Sequence, residues 1–185
     1  MDFDKVLRER KSIRNYSAKT AKFEDIIDIC EAARFAPMAG NIYTIRLILV
    51  TDKEKKKQLA EAALEQEFIS DASCVIVVCS DLTQLVRSYG NRALIYSRQQ
   101  AGAVIENMLL KITELGLGAC WIGAFEENAI KRILNIPDSI QIEALIPIGN
   151  PLGKTQAKKK PELKFILYFE KWNQTTAKPI KKAPA

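Results

Sequence analysis

The stretch Arg10-Lys11-Ser12-Ile13-Arg14 packs three cations and a hydroxyl into five residues, just after a short apolar pattern at Phe3, Val6 and Leu7. An extended backbone places residues 10, 12 and 14 on one side. Two guanidiniums and one hydroxyl could then converge on a single anion, and the guanidinium fork matches phosphate oxygens bidentately. A solvated basic turn would carry the same residues. A second candidate is the apolar run 117–125, interrupted by Gly118 and Gly123. Glycine inside such a run often marks a close backbone approach or a bend, so a flat ligand could lie there. A core helix and strand joined by a tight turn is the competing reading.

Other chemistries are excluded. The chain has no histidine, which removes imidazole catalysis and the usual zinc-ligand sets. Cys30, Cys74, Cys79 and Cys120 each lie in apolar stretches with no CxxC pair, so reduced buried thiols are expected and no metal site. There is no GxGxxG and no Walker A sequence, and hence no common dinucleotide or P-loop site.

The elements that must position these residues follow from periodicity. Ala101, Val104, Ile105, Met108, Ile112 and Leu115 recur at helical spacing, and Ala103, Leu109 and Leu110 widen the stripe beyond one face. Gly116 should end this central helix. A short helix over 3–10 precedes the cationic cluster. Residues 22–35 predict a helix with Phe23, Ile26, Ile27, Ile29, Cys30 and Ala33 inward, followed by the turn-rich loop 36–41. Strands are predicted at 45–51 and 74–80, both buried on two faces, at 117–125, and at 142–148. Residues 53–67 predict a charged helix, 81–96 an irregular polar segment, and 126–134 a further helix. Residues 154–161 read as a basic linker and 163–172 as a last strand, able to join its own sheet or a partner's. The final residues should fray.

At 185 residues, 48% hydrophobic and 27% charged, the chain is a globular domain of ordinary size. No apolar run reaches the roughly 18 residues of a membrane span, and the N-terminus is too charged for a signal peptide, so a cytoplasmic protein is expected. The net charge of +6 is uneven: from residue 154 onward nine lysines face Glu162 and Glu170. Such a tail is compatible with nucleic acid, with an anionic ligand, or with simple solvation.

Four stretches in order, RKSIR at 10–14, APMAGN at 36–41, GLGACWIGAF at 116–125 and ALIPIGNP at 144–151, resemble the nitroreductase family of flavoproteins. The resemblance implies an α+β fold with a mainly antiparallel central sheet sandwiched by helices, in an intertwined homodimer. It divides the chain into an FMN-binding domain, 1–153, and a basic arm, 154–185, that serves the dimer and the phosphate site. It implies FMN as cofactor, NADH or NADPH as co-substrate, and a ping-pong transfer to a nitroaromatic, quinone or similar acceptor. A flavin-binding protein with little turnover is the alternative, and no nucleic acid or membrane partner is implied.

Residue by residue, the resemblance assigns Arg10, Lys11, Ser12 and Arg14 to the FMN phosphate and the pyrimidine edge, joined by Lys159 or Lys160. Pro37, Met38, Ala39 and Asn41 match the loop that approaches the flavin from the other subunit. Trp121 and Ile122 precede Gly123 and Ala124, whose backbone N–H groups face flavin N5. Gln66 and Gln99 are further flavin neighbours, and Tyr89, Tyr96 and Phe125 could line the substrate face. No side chain is assigned as catalytic. The sequence departs from the family pattern at Met38, where serine is common, at 42–46, where Gln-Pro-Trp-Arg commonly follows Asn41, and at Gln99 and Gln100, where an acid is frequent.

Overall fold

A computed structural model of the chain describes residues 2–153, 155 and 159–177. Two compact units are present, Met1–Thr155 and Gln156–Ala185. The first contains a four-stranded antiparallel sheet, ordered β1-β2-β4-β3, built from β1 (Ile45–Val50), β2 (Cys74–Ser80), β3 (Gly118–Ala119) and β4 (Gln141–Gly149). Six helices surround it: α1 (Phe3–Glu9), α2 (Phe23–Ala33), α3 (Lys53–Ala62), α4 (Thr83–Tyr89), α5 (Ala93–Glu114) and α6 (Glu127–Leu134).

Alternation along β2 explains the layers. Cys74, Ile76 and Val78 face one core with Ile26 and Ile29 of α2 and Val104, Ile105 and Met108 of α5. Val75, Val77 and Cys79 face the other, with Leu59 of α3 and Ile130 of α6. Side chains two apart share a face, so a strand covered on both sides reads as a continuous apolar run. All seven β2 residues are buried. β1 differs from expectation: only Ile45 and Val50 are buried, because β1 is an edge strand.

Helix α5 is buried at nine positions from Ala93 to Ile112. Its end is a Schellman motif: Gly116, at φ +74°, donates to Thr113 O at 3.0 Å, and Leu117 donates to Ile112 O at 3.0 Å. Helix α2 corrects the predicted inward set, since Phe23 and Ile27 are exposed, at 62% and 42%.

Three further expectations are corrected. Residues 81–96 are not irregular: Asp81 Oδ1 accepts from the Thr83 N–H at 3.0 Å and starts α4, Leu85 is buried, and Gly90 at φ +52° turns the chain into α5. Residues 117–125 form only the two-residue β3, followed by an isolated bridge from Ile122 to Leu145. In the second unit, residues 163–172 form a 3-10 turn at Leu163–Phe165 rather than a strand, with Tyr168 and Trp172 in edge contact at 5.0 Å. A strand needs a neighbour's backbone groups, and among the described residues of this unit none is paired. The linker expected at 154–161 and the frayed end lie partly outside the described residues. No described helix is long and apolar enough to cross a membrane.

Candidate functional site

Two glycines admit two side chains and so seat the cationic segment against the sheet. A Cβ on Gly118 would meet Ile13 at 2.8 Å, and one on Gly149 would meet the Tyr16 ring at 2.8 Å. Ile13 and Tyr16 are buried there. Ser12 bridges Ala119 in parallel, and Ile13 N–H donates to Ala119 O at 2.8 Å. The Tyr16 hydroxyl lies 2.9 Å from Ile13 O and 3.0 Å from Pro147 O, in hydrogen-bond contact with both, and burial pushes its ionisation far above the ordinary range. β3 is thus paired on both edges, with β4 on one side and residues 12–13 on the other.

The anchored segment presents its cations differently. Arg14 and Ser12 stand close enough to the Cys120 thiol to favour its ionised form: burial pushes the thiol upward, and Arg14 and Ser12 oppose the shift. The Arg14 guanidinium also lies 5.9 Å from the centre of the Phe68 ring. Arg10 is half-buried and reaches Glu106 of α5 at 3.6 Å, a partly exposed pair of small energetic weight. Lys11 Nζ donates to Thr155 O at 2.9 Å. Ser12 and Arg14 therefore come together, whereas Arg10 and Lys11 each have a partner of their own.

The glycine-bearing backbone is open. Gly123 and Ala124 are exposed, and a Cβ on Gly123 would meet nothing within 4 Å. Among the described residues neither N–H has an acceptor in the chain. Gln66 half-closes this edge, its Nε2 2.7 Å from Ala63 O and 3.5 Å from Ala124 O. Trp121 is 43% exposed. Ile122, expected beside the flavin, has its side chain in the core, 3% exposed, and its N–H and C=O both pair with Leu145 at 3.0 Å.

Loop 36–41 is a 3-10 turn at Ala39–Asn41 with Gly40 at φ +57° and Asn41 at φ +58°. Pro37 and Asn41 are exposed; Met38 and Ala39 are half-buried. Gln99 is exposed, and its neighbour does the anchoring. Buried Gln100 donates to Ile42 O at 3.1 Å, Thr44 Oγ1 at 3.3 Å and Met38 Sδ at 3.0 Å. Its Oε1 is buried without a partner among the described residues. Tyr89 and Tyr96 meet edge-on at 5.1 Å, and Phe125 is half-buried against the α3–α6 core. Lys159 and Lys160 are exposed residues of the second unit.

Sequence reasoning missed Gln100, Ile13 and Tyr16. Gln100 was legible only as one of two adjacent glutamines, and helical phase selects it: it shares a face with Ala93, Ser97 and Val104. Nothing local indicates which side chain fills the space above a glycine.

These residues suit a flat, phosphate-bearing ligand. The Ile13–Ala119 bond fixes the segment that carries Ser12 and Arg14 to the strand that precedes the open N–H groups and the exposed indole. A cavity of about 450 Å³ lies elsewhere, among Lys19, Phe23, Leu49, Lys56, Asp71 and Ser73. It contains none of these groups, which sit on an open face. Among the described residues no cluster of Cys, Asp or Glu could hold a metal ion.

A family model described as "Nitroreductase family" matches residues 7–81 and 62–150. A protein of Archaeoglobus fulgidus, provisionally named NADH dehydrogenase/NAD(P)H nitroreductase, is 35% identical over 151 residues, covering 80% of this chain and 84% of its own. A Bacillus subtilis protein named FMN reductase [NAD(P)H] is 27% identical over 173 residues, covering 86% of this chain and 69% of its own. The crystal structure of a Bacteroides thetaiotaomicron protein, provisionally named like the first, superposes with a TM-score of 0.80 at 28% identity, over 93% of this chain and 97% of that one.

Proposed function

The chain belongs to the nitroreductase family of oxidoreductases, and from that premise we propose that it holds FMN and passes electrons from NADH or NADPH to a small organic acceptor. When bound, FMN supplies the redox chemistry, accepting hydride and returning electrons to a nitroaromatic, a quinone or a similar molecule. The chain supplies position and electrostatics. Arg14 and Ser12, with Arg10 released from Glu106, would hold the phosphate, since charge-assisted bonds contribute about 1.5–3 kcal/mol each. Lys11, Lys159 and Lys160 would add positive charge. The N–H groups of Gly123 and Ala124 would point at the reacting edge of the ring, and Trp121 and Gln66 would border it. Donor and acceptor would use the one open face in turn, a ping-pong order.

The active form would be a homodimer, with Pro37, Met38, Ala39 and Asn41 of one copy closing the site of the other. Large apolar side chains left exposed on α1, α2 and α5 support this, among them Phe3 at 63%, Phe23 at 62% and Ile95 at 50%. The arm 154–185 would serve the same assembly.

One observation carries the reading: the Ile13–Ala119 hydrogen bond joins an arginine-bearing segment to the strand that leads into an exposed, acceptor-free backbone at Gly123. The test is an absorbance scan after reconstitution with FMN, before and after anaerobic addition of NADH or NADPH. A yellow protein bleached within seconds supports it. A chain that retains no flavin refutes it, and one that retains flavin but bleaches only over hours is a binder with little turnover.

A further inference from the structure

Residues 82–105 contain three arginines, Arg87, Arg92 and Arg98, and no acid; the carboxylates nearest in sequence are Asp81 and Glu106, and Glu143 of β4 reaches the segment at Ser97, 3.4 Å away. All three guanidinium side chains are exposed, and among the described residues none is within ion-pair distance of a carboxylate. Exposed cations without a carboxylate partner favour the approach of an anion.

The cluster sits on a built corner. Arg92 Nε donates to the Tyr96 hydroxyl at 2.9 Å, and its guanidinium lies 5.1 Å from the Tyr96 ring centre. That holds the side chain while leaving its terminal Nη groups available. Tyr89 stands edge-on to Tyr96 at 5.1 Å. Its hydroxyl lies over Gly40, where an added Cβ would come within 2.5 Å of it. The corner is thus fastened to loop 36–41.

Resting on the oxidoreductase reading above, we infer that the α4–α5 corner binds the 2′-phosphate of NADPH through Arg92 and Arg87, and so makes NADPH the preferred coenzyme. NADPH and NADH differ in that one phosphate monoester, which carries up to two negative charges. A guanidinium fork meets its oxygens bidentately, and NADH offers nothing in its place. The Tyr96 contact pre-orients Arg92, so less freedom is lost on binding. Arg98, nearly two turns further along the chain, adds long-range attraction.

The test is calorimetric titration of the oxidised, FMN-loaded protein with NADP+ and with NAD+, neither of which can reduce it. NADP+ should bind about tenfold more tightly or better, and the gap should narrow as salt rises. Arg92→Ala combined with Arg87→Ala should abolish most of the difference while leaving NAD+ binding within about twofold, and Arg92→Lys should restore part of it. Equal affinity for the two coenzymes in the native protein overturns the proposal, as does an equal loss for both in the variant. The two readings fail separately. A protein reduced equally well by NADH and NADPH remains an oxidoreductase but has no such corner, whereas one reduced by neither loses the parent reading.

Discussion

Ile13 and Gly118 interlock: the Ile13 side chain fills the space that a Cβ on Gly118 would need, at 2.8 Å, while Ile13 N–H donates to Ala119 O at 2.8 Å. Two segments more than 100 residues apart are thereby fixed to each other.

That contact separates two glycines. Gly118→Ala should destabilise the fold by about 1–3 kcal/mol, since the neighbour is the branched base of Ile13 and not a flexible tip. Gly123→Ala should leave stability within about 0.5 kcal/mol, because an added Cβ meets nothing in the chain, yet it should lower FMN affinity at least about tenfold by holding the ring off the backbone. Urea midpoints and flavin titrations of the two variants should show opposite patterns. Unaltered flavin affinity in Gly123→Ala would move the ring elsewhere.

Removing the cations should act on the phosphate and not on the fold. Arg10→Ala with Arg14→Ala is expected to weaken FMN binding by several kcal/mol, at about 1.5–3 kcal/mol for each charge-assisted bond. Their protein partners are exposed or modest, so the thermal midpoint of the apo form should barely change. Full flavin content after purification of the double variant would place the phosphate at another site.

Gly40 is conformationally required. It has φ +57°, and a Cβ would meet the Tyr89 hydroxyl at 2.5 Å. Gly40→Ala should cost about 1–2 kcal/mol from backbone strain alone, lowering the apo melting temperature by roughly 2–4 °C for each kcal/mol. Tyr89→Phe removes the crowding atom, so the double variant should recover part of the loss in calorimetry.

Alkaline pH should expose the buried thiols. Burial pushes Cys74 from 9.0 up to about 12 and Cys79 from 9.0 up to about 11. With the folded value above the unfolded one, the native state binds more protons. That contribution is complete below the unfolded value and is lost as pH rises through the folded one. The urea midpoint should therefore fall from about pH 9 upward, and Cys74→Ala with Cys79→Ala should flatten the decline. An identical decline in that variant would assign it to other groups.

Much of this protein was legible without coordinates. The α5 stripe, its Gly116 stop and the all-buried β2 were readable because a 3.6-residue or 2-residue period reports how many faces a packed element must cover. The order of the four stretches from Arg10 to Pro151 likewise pointed to the nitroreductase family, since residues serving one site recur in one sequence order. Tertiary structure decided the rest. Phe23 and Ile27 read as core but lie on the surface, and residues 163–172 read as a strand but lack a neighbour, because burial and strand pairing depend on what stands opposite. It also decided that Ile13 sits on Gly118, that Gln100 rather than Gln99 ties loop 36–41, and that Tyr89 covers Gly40. Each joins positions far apart in the chain, where shape and polar satisfaction, not local propensity, select the partner.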